Sequence, residues 1–118
     1  MSGNVYDANC PTRQVLDLIA DKWATLIIVL LEQRPKRFTE LQRQIEGISQ
    51  KMLTQTLRAL ERDGMVHRTV YAEVPPRVEY TLTALGQTLY EPLVNLIQWS
   101  EENIGAVTAA RKSYDQRA

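Results

Sequence analysis

From Ile48 to Leu82 the apolar residues change their repeat, and that change leaves few folds open. In "ISQKMLTQTLRALERDG" Leu53, Leu57 and Leu60 recur at helical spacing. Ser49 suits the N-cap of this helix and Gly64 its end. The next residues alternate instead. "MVHRTVY" puts Val66, Arg68 and Val70 on one side and His67, Thr69 and Tyr71 on the other. "RVEYTL" puts Val78, Tyr80 and Leu82 on one face. Between these runs lies "AEVPP", which predicts a hairpin with a proline-stiffened tip.

Upstream, Pro11 opens a short helix in "PTRQVLDLIADKW", with Val15, Leu16 and Ile19 as its apolar stripe. Asp21 can cap a second helix, "KWATLIIVLLEQ", which is apolar nearly all round and reads as the core helix. Pro35 ends it. "RFTELQRQIEG" predicts a third helix with Phe38, Leu41 and Ile45 inward and Gly47 as its stop. The turn "EGIS" then joins it to the Ser49 helix. Downstream, Thr83 caps a long helix that Pro92 is expected to kink, with the tail "SYDQRA" expected to fray. Two helices joined by a short turn and followed by a hairpin make a winged helix-turn-helix. The expected class is α+β, mainly α. One domain spans residues 1–118, with the helix-turn-helix at about 37–64, the wing at about 65–82 and a dimerisation helix at about 83–112.

The totals narrow the function classes. A chain of 118 residues suits one core. No uncharged apolar run reaches the ~20 residues that cross a bilayer, and the start lacks the pattern of a signal peptide. The expectation is a cytoplasmic protein with no membrane partner. One cysteine and one histidine cannot build a cysteine-rich zinc site or a histidine cluster, and no metal or cofactor is expected. His67 has no serine or carboxylate at motif spacing, so no enzyme is expected. Net charge is zero, yet residues 34–82 hold nine basic and six acidic side chains, while both flanks are acidic. Phosphate binding answers to such local potential.

The Ser49–Asp63 helix carries Lys51, Thr54, Gln55, Arg58 and Arg62 on one stripe opposite its leucines. No acid occurs from Gly47 through Leu60. Such a stripe suits a DNA major groove: Arg reads guanine, Gln reads adenine, and Thr offers a methyl to thymine. Ser49 and Gln50 stand at the helix start, where free N–H groups favour a phosphate oxygen. The bland alternative is a solvated helix face. Arg77 follows "EVPP", so a cation is expected to project from the wing tip toward a minor groove or a phosphate, with Arg68 on the opposite strand. In the last helix Leu85, Leu89, Leu93, Leu96 and Ile97, with Trp99 and Ile104 beyond, exceed what a small head can cover. The excess predicts pairing with a second copy as well as packing on the chain's own first helix.

"CPTRQVLDLIADKW", "RFTELQRQIEGISQKMLTQTLRALERDGMVHRTVYAEVPPRVEYTLTALG" and "LIQWSEEN" together resemble the HxlR-type winged-helix regulators, relatives of the MarR group, over about residues 10–103. The resemblance implies a homodimeric transcription factor on a palindromic operator in double-stranded DNA, read here as a repressor with an activator left open. It also implies an effector, which can be an oxidant, a quinone, an aldehyde or a small aromatic. In part of that family the cysteine matching Cys10 is a redox switch. A helix N-terminus favours a thiolate, Arg13 adds a positive neighbour, and Asp7 and Asp17 oppose it. With one cysteine, only a Cys10–Cys10 pair between subunits or a small-thiol adduct is open. Cys10 can equally be an inert cysteine at a helix cap. Two further alternatives are a ligand held between head and dimer helix, and a winged-helix protein-interaction module without DNA affinity.

Overall fold

The computed structural model describes residues 4–117. Within them the order is α1 (Pro11–Ile19), α2 (Lys22–Gln33), α3 (Phe38–Gln44), α4 (Gln50–Arg62), β1 (Val66–Tyr71), β2 (Arg77–Leu82) and α5 (Ala84–Arg117). The helix starts follow from their caps. Asp21 accepts from the Trp23 N–H at 2.8 Å, and Ser49 Oγ accepts from the Met52 N–H at 3.0 Å. Gly47 and Gly64 have φ of 88° and 77°, so each turns the chain in the left-handed region that glycine adopts most easily.

α2 is the centre of the head, in contact with α1, α4, β2 and α5. Its Ala24, Ile27, Ile28 and Leu31 are buried against Leu41, Leu53, Leu57, Leu60 and Leu93. Each large side chain there contributes about 1.5–3 kcal/mol through burial. The strands pair antiparallel, from Val66 opposite Leu82 to Tyr71 opposite Arg77. Val66 and Tyr80 are buried, but Val70 is exposed, so the expected alternation does not continue outward. At about 3.3 Å per residue the outer half of the hairpin has already left the head.

A backbone bridge helps tie the helix-turn-helix to the wing. Lys36 and Tyr80 exchange backbone hydrogen bonds of 3.0 and 2.8 Å, a single bridge just before α3. It buries Lys36 to 2% exposure.

The start of α3 carries a pH-dependent lock. The Glu40 carboxylate accepts from the Arg34 guanidinium and from the Arg37 N–H. These bonds, the Arg34 bond foremost, lower its pKa to about 2. A carboxyl depressed in the fold contributes stability above its unfolded value of about 4.3 and loses it as pH falls toward the folded value. Wild type should therefore exceed Glu40→Gln in thermal midpoint at pH 6. The gap should close between about pH 4.3 and pH 2. A gap constant across that range counts against the lock.

α5 joins the head through its first turn. Thr83 Oγ1 donates to the Gly64 carbonyl and accepts from the Gly86 N–H, and the Thr83 N–H donates to the Met65 carbonyl at 3.1 Å. The helix continues through Pro92, and residues 113–117, expected to fray, are still helical. It packs on α2 and β2, whereas the expected partner was α1. Beyond Leu93 none of its described residues is buried, and the molecule has a 60 Å long axis. Among the described residues no helix is long and apolar enough to cross a membrane.

Candidate nucleic-acid interface

α4 reaches the surface because only one of its faces is leucine. Leu53, Leu57 and Leu60 point into the core, with Thr56 buried beside them and its hydroxyl donating to the Met52 carbonyl. The opposite face is open. Ser49, Gln50, Lys51, Thr54, Gln55 and Arg58 line one continuous depression. The Ser49 oxygen accepts in the cap, so its O–H remains free to donate to an anion beside the helix's free N–H groups.

A deeper cleft of about 500 Å³ lies between α4 and the wing. Gln50, Thr54 and Arg58 form one wall and Arg68 of β1 the other, with Phe38, Leu57, Glu61 and Tyr80 completing it. Gln50, Thr54 and Arg58 thus belong to both surfaces. Lys51, Arg58 and Arg68 are exposed and make no salt bridge among the described residues. Three cations on one side of a head, with Glu61 the one acid lining the cleft, suit a phosphate backbone.

Three placements differ from the sequence expectation. Arg77 does not project from the tip. Its guanidinium is 3.3 Å from the Glu73 carboxylate and 3.7 Å from that of Glu79, and it stacks 4.0 Å from the Tyr71 ring centroid. Two carboxylates and a π face draw it back along the hairpin. Arg62, at the C-terminal end of α4, lies in a second cleft with Pro11, Gln14, Val15 and Leu18 of α1, away from the wing. Glu61 is the residue that sequence reasoning missed. It follows Gln50 by eleven positions and Thr54 by seven, so it shares their face, one residue beyond the acid-free run.

The proposed pairing surface also divides. Leu93 is 2% exposed and belongs to the core of its own head, so it is not free for a partner. Leu89 packs against that core, and Ile97 is half-buried. Leu85 and Leu96 are exposed, as are Trp99 and Ile104 further along. α1 adds Val15 and Leu16, and no residue of α1 itself is buried.

Cys10 caps the start of α1 at 4% exposure. Its N–H donates to the Asp7 carbonyl at 3.0 Å. Arg13 donates to the Tyr6 carbonyl at 3.1 Å, so its cation is engaged with the chain that leads to Cys10.

Residues 18–108 match the HxlR-like helix-turn-helix family. The chain belongs to that family. The HTH-type transcriptional regulator YtfH of Escherichia coli is 45% identical over 98% of this chain and 90% of its own length. The solved ytfH transcriptional regulator of Salmonella typhimurium superposes with a TM-score of 0.86 at 43% identity, covering 93% of this chain and 98% of that one. The redox regulator HypR in its oxidised form gives 0.74 at 45% identity, covering 80% and 97%. This HxlR-type chain is therefore a transcriptional regulator of the helix-turn-helix type and not an enzyme.

Proposed function

We infer that this regulator binds double-stranded DNA as a homodimer, with α4 in the major groove of each half of an inverted-repeat operator, and that it represses. The observation that carries the reading is the surface shared by Gln50, Lys51, Thr54, Gln55 and Arg58 with Arg68 opposite, its cations unpaired among the described residues. Dimerisation is supported by the free half of α5. Helices in proteins draw most of their stability from packing an apolar face, and Trp99 is 59% exposed there. Twofold pairing would set two α4 helices about one DNA turn apart.

Redox control through Cys10 is a second reading, favoured by the likeness to HypR, which is described as a redox regulator. The thiol is buried, so an oxidant reaches it only when the structure around the start of α1 opens.

One experiment addresses both. Sedimentation should give a dimer, and a random-sequence duplex should be retarded at low salt and lose affinity about a thousand-fold or more between 50 and 200 mM. A protein that retards no duplex at low salt is a protein-interaction module instead. The same assay on wild type and Cys10→Ser, before and after peroxide, isolates the thiol. If both respond equally, Cys10 is not the switch.

A further inference from the structure

We propose that the wing of this protein meets DNA through an uncharged apolar tip, Val74 with Pro75 and Pro76, seated against the sugar walls of the minor groove, while Arg77 is a positioning residue that touches no phosphate. This rests on the DNA-binding reading above and says how the wing takes part in it.

Val74 is 101% exposed, the most exposed large apolar residue described, at the point of the hairpin furthest from the head. Nothing in the fold covers it, and Pro75 and Pro76 beside it are exposed too. The tip has little to offer a phosphate. Neither proline has an N–H, and the Glu73 N–H is already bonded to the Tyr71 carbonyl at 2.8 Å. The nearest guanidinium, Arg77, lies between two carboxylates and over a ring. Its Nε is buried and makes no hydrogen bond among the described residues, and both terminal nitrogens face carboxylates. Arg77 with Glu73 and Glu79 leaves this stretch one unit negative, which opposes a close phosphate.

What the tip does offer is methyl groups and stiff rings. Apolar wedges of this kind contact sugars and base edges in minor grooves and report groove shape rather than charge. Continuity fixes the occupant. Arg68 of the same hairpin lines the cleft with Arg58 of α4, so a duplex held on α4 runs on toward the wing. Arg77, opposite Tyr71 in the register, clamps the two strands where they leave the tip.

The test uses full-length protein and a duplex of roughly 30 base pairs, long enough for two half-sites, enriched from a random pool on wild type. Val74→Ala should weaken binding about five- to ten-fold with the slope of log affinity against log salt unchanged. Val74→Asp should weaken it by about thirty-fold or more, since it adds a charge near phosphates. Arg77→Gln should weaken it with no change of slope, and Val74→Ala added to Arg77→Gln should then have less than about a two-fold further effect. Because Val74 touches nothing, its variants should keep the wild-type thermal midpoint, and their arms decide the proposal even if Arg77→Gln folds poorly. Wild-type affinity in both Val74 variants overturns the apolar contact. A slope reduced by about one unit or more in Arg77→Gln makes Arg77 a phosphate ligand and overturns its positioning role. Wild type that binds no duplex at any salt overturns the DNA-binding reading itself, and this proposal with it.

Discussion

Replacing Gly86 with alanine should lower the stability of the fold by about 3 kcal/mol, the largest loss expected from Gly→Ala among the described glycines. Gly86 is the third residue of α5 and is buried. A Cβ there would lie 2.1 Å from the Met65 carbonyl oxygen, 3.0 Å from its carbon and 3.1 Å from Leu82 Cδ2. The first two are backbone atoms, so no side-chain rotation relieves the overlap. The start of α5 must back away, and the Thr83 bonds to Gly64 and Met65 stretch with it. Alanine's better helix propensity returns at most about 1 kcal/mol. The molecule contains its own control. At Gly105, in the same helix, a Cβ meets nothing within 4 Å. Gly105→Ala should be neutral or stabilise by up to about 1 kcal/mol. Urea unfolding of the two variants measures the contrast, and equal midpoints would show that the α5 start slides freely over the Gly64–Met65 turn. A loosened junction also frees β2, which ends at Leu82, so Gly86→Ala should lose operator affinity along with stability.

Much of this architecture is legible in the sequence because its punctuation is local. Asp21, Ser49 and Thr83 each cap the helix they precede, and Gly47 and Gly64 each turn the chain where a helix stops. The polar face of α4 is legible for the same reason, since residues on one helix share a face by period alone. What escapes depends on contacts between elements. The Lys36–Tyr80 bridge is one residue pair and carries no repeat to detect. Val70 obeys the alternation of a strand whose outer half has no core beneath it. The retreat of Arg77 follows from Glu73 four residues before it, Glu79 two residues after it and Tyr71 across the ladder. Two of those partners are close in sequence, but the expectation weighed only the proline-stiffened tip. Leu93 and Leu96 look alike in sequence, and only the packing of α5 on α2 assigns one to the core and leaves the other outside.

Arg58→Ala should weaken binding to the selected duplex by about five- to 160-fold for each α4 engaged, the range for losing one bidentate base contact. Arg58 is the one cation that belongs both to the open face of α4 and to the cleft beneath the wing. It is exposed and forms no salt bridge among the described residues, so its removal leaves no buried carboxylate behind. The variant should therefore fold as wild type does, and the loss should appear in binding alone. Arg58→Lys separates two roles. Lysine keeps the charge but not the planar fork, so a base contact should be lost almost as fully as in Arg58→Ala, whereas a phosphate contact should be largely kept. Competition against duplexes mutated at single positions adds a second readout. A base-reading Arg58 should relax preference at one position of each half-site, while a phosphate contact should weaken all sequences alike. If Arg58→Ala binds as tightly as wild type, the recognition surface lies elsewhere on the head, and the cleft between α4 and Arg68 must be assigned to something other than DNA.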